Sequence, residues 1–195
     1  MANLGGLPAD LPVPEDDGAA DHLTGMIVSD VELPSTDGDS VSLARCSGLG
    51  VLYVYPMTGR PDAHLPDGWD TIPGARGCTP QSCAFRDHFS ELQETGVNWI
   101  YGISTQTTDW QAEAVERLHL PFALLSDSRL RLANTMRLPT FTAQVEGQCD
   151  RLLKRLTLIV RDIKIVKVFY PVFPPDRNAE DVLVWLRTNS HSSGD

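Results

Sequence analysis

Along the chain the spacing of apolar residues switches between the strand and helix periods. "MIVSDVEL" (residues 26–33) alternates apolar and polar like a half-buried strand, and stops at Pro34 and the turn-forming "TDGD". "VSLARC" (41–46) is a short second strand. "GVLYVYP" (50–56) is a continuous apolar and aromatic run, the pattern of a strand buried on both faces, closed by Pro56. Residues 80–96, "PQSCAFRDHFSELQETG", take a helical period through Cys83, Phe85, Phe89 and Leu92, with Gly96 as the stop. Thr79 is placed to cap that helix, and Pro80 suits its first turn, where a missing N–H does no harm. "VNWIYGIS" (97–104) predicts a buried strand, 108–120 a helix ended by Pro121, "FALLSD" (122–127) a strand and "SRLRLANTMRL" (128–138) a helix. "RLTLIV" and "IKIVKVFYPV" predict a hairpin turning at Arg161-Asp162. Residues 177–189 predict a closing helix with Ala179, Val182, Leu183 and Leu186 on one face.

Strands alternating with helices imply an α/β protein with a central mixed sheet flanked by helices, the terminal hairpin supplying the antiparallel part. A strand leading to a cysteine at a helix N-terminus, then a later hairpin and a last helix, describes a thioredoxin-like fold. Between the strand ending at Pro56 and Cys78 lies "MTGRPDAHLPDGWDTIPGARG", a Pro- and Gly-rich stretch of a length that is usually functional inside a compact domain. Residues 1–22 read as a flexible acidic N-terminal arm, 23–188 as one domain and 189–195 as a flexible tail.

Charge sharpens this division. The formal net charge is −10, but residues 1–40 hold nine acids and no Lys or Arg, leaving 17 acids against 16 bases elsewhere. No basic stripe exists to track phosphates, so nucleic acid is excluded as a partner. The acidic arm reads as a solubility element, with partner docking as the alternative. No apolar run is long enough to cross a bilayer, and the N-terminus lacks a basic region followed by an apolar core. Four cysteines at uneven spacing do not resemble a disulfide framework, which points to a reducing, cytoplasmic setting. A monomer or weak homodimer is expected.

Two of those cysteines, Cys78 and Cys83, stand five positions apart in "GARGCTPQSCAFRDHF" (74–89). Cys78 falls at the predicted helix start, where unpaired N–H groups and the helix dipole favour a thiolate; Arg76 adds positive potential. The bland alternative is a small core residue that precedes a helix. Five positions along an ideal helix separate the Cα atoms by roughly 8 to 9 Å, beyond the ~7 Å limit for a disulfide. The pair therefore bonds only if the first turn unwinds, a cheap event at a helix end. A thiol with a second thiol nearby is the arrangement of redox-active cysteines. Zinc fits poorly: no second Cys pair exists, Cys46 and Cys149 are isolated, and His64 and His88 do not complete a set. The other histidines (His22, His119, His191) read as surface or capping residues, and Trp69 as a turn-packing aromatic.

"GCTPQSCAFRDHFSEL", followed by "VNWIYGIST" and "LHLPFALLSD", resembles a peroxiredoxin of the bacterioferritin-comigratory, or Q, subgroup, from about Met26 to Leu186. The resemblance implies that Cys78 is the peroxidatic cysteine, Cys83 the resolving one, and Arg155 the arginine that opens a strand facing the active site. It makes Gln81 a polar neighbour on the first turn. The chain departs from the subgroup in one place: the positions usually held by a hydroxyl residue three before the cysteine, and by a proline four before that, hold Ala75 and Thr71. Thr58 and Thr71 are the candidates to supply the missing hydroxyl. The implied activity is thiol-dependent reduction of hydrogen peroxide or organic hydroperoxides, without cofactor or metal. A sulfenic acid at Cys78 condenses with Cys83, and a thioredoxin-like dithiol protein reduces the disulfide. Without the resemblance, a strand-start arginine is an ordinary ion-pair residue. A thioredoxin-fold redox sensor or disulfide-exchange partner is the competing reading.

Overall fold

The structure is a computed structural model that describes residues 7–145 and 148–189; the side chains of Gln148 and Cys149 are not described. The predicted arm over residues 1–6, the tail from residue 190 with His191, and the Cys149 thiol lie outside the described residues.

A five-stranded sheet forms the centre, in the order β5-β4-β3-β8-β9. Its members are β3 (Leu49–Val54), β4 (Val97–Ser104), β5 (Leu124–Ser126), β8 (Leu156–Arg161) and β9 (Lys164–Phe169). β4 runs parallel to both β3 and β5, whereas β8 is antiparallel to β3 and to β9, so the sheet is mixed as expected. Every residue of β3 is buried, as its unbroken apolar run predicts. Alternate residues serve opposite faces: Val51 and Tyr53 pack with Phe85, Val182 and Leu186, while Leu52 and Val54 pack with Leu23, Leu132 and Met136. Each such fully buried side chain contributes about 1.5–3 kcal/mol relative to exposure. The β8–β9 turn places Asp162 and Ile163 at positive φ, 45° and 67°, the backbone of a tight hairpin.

Among the described residues, five α-helices cover the sheet: α1 (Cys78–Asp87), α2 (Phe89–Glu94), α3 (Thr108–Leu118), α4 (Arg131–Met136) and α5 (Asn178–Asn189). The four residues expected on the inner face of α5 are all buried. The single helix expected over 80–96 is two. The backbone of His88 leaves the helical region (φ −94°, ψ 9°), and its Nδ1 lies 2.8 Å from Glu91 Oε1. Thr79 is not a cap but a buried residue inside α1; the position before the helix is Gly77, at φ +103°. A β-carbon there would come within 2.3 Å of Pro175 and 2.9 Å of Leu7, so only glycine fits both the conformation and the space.

Three further differences concern the periphery. "MIVSDVEL" keeps only β1 (Glu32–Pro34), paired with β2 (Ser40–Ser42) across the "TDGD" turn, while Ile27 makes a single bridge to Lys164. A two-stranded ribbon absent from the sequence reading, β6 (Thr140–Val145) and β7 (Gln148–Leu153), forms its own sheet. Through Ala143 and Leu152 it packs on Met57, Trp69 and Ala75, which gives the long 57–77 segment a small core of its own. Trp69 is 3% exposed there, as a turn-packing aromatic. Finally, residues 7–22, expected as a flexible arm, are seated on the domain. Ala20 is buried, and Asp17 accepts hydrogen bonds from Lys154 at 2.6 Å and from the Tyr170 hydroxyl at 2.7 Å.

Candidate active site

Strand β3 and the 57–77 segment deliver the chain to Cys78, the first residue of α1. Cys78 is 3% exposed and belongs to the same core cluster as Tyr53, Tyr55 and Phe85. On its polar side the sulfur is 3.6 Å from the Ala75 carbonyl, which accepts from the thiol, and 3.2 Å from Arg155 Nη2. Arg155 immediately precedes β8 and is itself 3% exposed. Its guanidinium also donates to the carbonyls of Gly74 (3.3 Å), Ala75 and Arg76 (3.1 Å each). One cation thus fixes the three residues that lead into the helix and faces the sulfur at the same time. Five fixed donors make this role available to arginine and not to lysine.

A chain of buried side chains holds Arg155 in place. Its Nη1 donates to Gln81 Oε1; Gln81 Nε2 donates to Asn178 Oδ1 at 2.9 Å; Thr157 Oγ1 donates to the same oxygen at 2.7 Å. Gln81 and Thr157 are fully buried and Asn178 is 1% exposed. Burying these polar groups would be costly without partners, and each has one. The network joins the first turns of α1 and α5 to the start of β8.

Of the residues singled out in the sequence, Cys78, Arg155 and Gln81 are brought together. Arg76 contributes its carbonyl to Arg155, while its side chain pairs with Asp70 at 3.3 Å. Thr58 and Thr71 do not join the cluster: the Thr58 hydroxyl donates to Gln106 Oε1 (3.1 Å) and the Thr71 hydroxyl to the Gly68 carbonyl (2.7 Å). Ala75, where the subgroup carries a hydroxyl, is fully buried beside Met57 and Trp69. Asn178 and Thr157 escaped the sequence reading because a polar residue in a helix or strand is ordinarily solvated. Tyr53 and Tyr55 were read only as strand residues. Their polar ends gave a signal: the Tyr53 hydroxyl donates to Ser82 at 3.1 Å within α1, and burial pushes both phenols well up from their ordinary value.

Cys83 lies in α1, half-buried and, like Cys46 and Cys78, a free thiol. Burial pushes the pKa of its thiol up, partly offset by the nearby Arg86 guanidinium. With both cysteines in one regular helix, the separation is roughly 8 to 9 Å between Cα atoms. Among the described residues no three His, Cys, Asp or Glu side chains gather as a metal site requires, and no helix is long and apolar enough to cross a membrane.

Comparison with known proteins gives the family of the chain. The Redoxin family model matches residues 23–183. Peroxiredoxin Bcp of Escherichia coli is 30% identical over 167 residues, covering 85% of this chain and 96% of that protein. The chloroplastic peroxiredoxin Q of Populus jackii is 27% identical over 158 residues, covering 80% of this chain and 64% of that protein. Among solved structures, peroxidoxin BcpB of Mycobacterium tuberculosis superimposes with a TM-score of 0.66 at 29% identity, over 85% of this chain and 97% of that one. By sequence and by fold, this chain belongs to the Redoxin family, in its Bcp and Q peroxiredoxin branch.

Proposed function

We propose that this protein is a thiol-dependent peroxidase in which Cys78 is the peroxidatic residue, Cys83 the resolving residue and Arg155 the stabilising cation. The observation that carries the reading is the 3.2 Å contact between Arg155 Nη2 and the Cys78 sulfur at the start of α1. The names of the relatives favour turnover over a redox sensor.

The chemistry follows from the geometry. The Cys78 sulfur, as thiolate, attacks one peroxide oxygen; an S–O bond forms as the O–O bond breaks. The leaving oxygen departs as hydroxide or alkoxide and takes up a proton to become water or alcohol. Arg155 offsets charge as it shifts from sulfur to the leaving oxygen. In the resulting sulfenic acid, Cys83 attacks the Cys78 sulfur, an S–S bond forms and water leaves. This step needs the α1 first turn to unwind. A thioredoxin-like dithiol protein then takes the oxidising equivalents by exchange, becoming a disulfide itself. The three free thiols among the described residues suit a reducing, cytoplasmic setting.

One equivalent of hydrogen peroxide added to the reduced protein tests the reading, with thiol loss and Trp fluorescence followed by stopped flow. Two thiols disappear at a rate far above that of free cysteine, and Cys78→Ser abolishes the reaction. A rate no better than free cysteine rejects the enzyme.

A further inference from the structure

A cavity of about 450 Å³ opens beside the candidate active site and ends on Arg155 and Gly74. These two groups bond to each other at 3.3 Å, and Arg155 in turn faces the Cys78 sulfur. Hydrogen peroxide, with two heavy atoms, has no use for a space of this size. The walls are mostly apolar: Ile72 from the 57–77 segment, Phe141 from β6, Pro171 and Val172 beyond β9, and Val13 and Pro14 from residues 7–22, the N-terminal strap. The strap therefore supplies an outer wall. Val13 is 64% exposed, an apolar side chain left unpartnered at the rim.

The strap is built into this position. Pro14 lies against Gly74, close enough that a β-carbon on Gly74 would stand 3.5 Å from its ring, and Leu7 lies against Gly77. Farther along, the Asp17 carboxylate is latched by Lys154 Nζ at 2.6 Å and the Tyr170 hydroxyl at 2.7 Å, and all three residues also line the cavity. These bonds hold the Asp17 carboxyl well below the usual carboxylate range, so the latch is ionised at neutral pH. It also neutralises Lys154, one of the two cations in the wall; of the charges that remain, Glu15 is an anion and Arg155 is the cation placed to receive a polar head.

We propose that the N-terminal strap is a specificity element: Val13 and Pro14 contact the organic body of an alkyl or aryl hydroperoxide, while Arg155 receives its peroxide end, and the Asp17 latch keeps the strap closed. This rests on the peroxidase reading. A ligand that fills the cavity touches the strap; hydrogen peroxide does not.

The test measures kcat/KM for cumene hydroperoxide and for hydrogen peroxide in the full chain and in Asp17→Ala, and compares their ratio. Opening the latch lowers the ratio by about fivefold or more, the scale of losing apolar contact in a pocket. Asp17→Glu, which keeps the charge, restores most of it. A merely structural defect lowers both rates together and leaves the ratio unchanged, and that result overturns the proposal. Pro14→Gly, which cuts away the wall and leaves the latch, gives a second reading; an unchanged ratio there overturns it as well. If the unsubstituted protein reacts with neither peroxide faster than free cysteine does, the peroxidase reading itself fails.

Discussion

Gln81 and Asn178, 97 positions apart in the chain, share a 2.9 Å hydrogen bond, both residues being buried. Through Gln81 the first turn of the last helix sets the position of Arg155. Gln81→Met, close in volume, leaves buried polar groups unpaired at a cost of about 1–3 kcal/mol. We expect a lowered melting temperature and, because Arg155 loses its anchor, a peroxide reaction slowed by about tenfold or more. Stopped-flow rates on protein shown to be folded by circular dichroism check both.

Arg155→Lys keeps a positive charge but cannot bond three carbonyls and the sulfur at once. The expected loss in kcat/KM is on the order of 10² to 10³, the range for removing a preorganised donor. A loss of less than threefold would show that charge alone suffices.

Thr71→Val removes a hydroxyl that serves the Gly68 carbonyl and not the sulfur. Peroxide reactivity should stay within about twofold of the parent, with a small fall in stability. A tenfold drop in the rate at unchanged stability would return Thr71 to the reacting centre.

Gly77→Ala places a β-carbon at positive φ and against Pro175. The conformation alone costs about 1–2 kcal/mol. Thermal unfolding should register this, and the displaced start of α1 should lower the Cys78 reaction rate.

The Cys83 thiol is half-buried in α1, and burial is the main reason its pKa is raised. A thiol whose pKa is higher in the helix than in an unwound segment stabilises the helix below the ordinary thiol range. That contribution is lost as pH rises through the range. Disulfide formation after a single peroxide pulse should therefore accelerate with rising pH, because both unwinding and thiolate formation are favoured. Quenched-flow mass spectrometry from pH 6 to 10 measures it; a flat profile would place the slow step elsewhere. Cys83→Ser should trap the sulfenic acid, detectable by dimedone labelling at Cys78.

The central strands and the last helix were legible because burial on a sheet face or helix stripe leaves a period in the sequence. β3 shows this in its unbroken apolar run and α5 in its four-residue stripe. Cys78, Cys83 and Arg155 are proposed for the site through a motif and a family resemblance. The β6–β7 ribbon left a weak trace, since only one face of a short ribbon is covered. Phe141, Ala143 and Val145 alternate with Thr142 and Gln144 over a single short span. The contacts of residues 7–22 leave no trace in the sequence because they join distant residues, such as Asp17 with Lys154, and follow no periodicity. The same holds for Asn178 and Thr157: long-range pairing of buried polar groups has no local signature.

The network that ends at Asn178 also sets an order in time. During synthesis Cys78 emerges 100 positions ahead of Asn178. At ~5–20 residues per second, the interval lasts roughly 5 to 20 s. Until residue 178 clears the ribosome, Gln81 has no partner on α5 and the arginine has no fixed seat. Cys78 is therefore translated well before the network that seats Arg155 beside it can form, and the arrangement is complete only when the last helix docks.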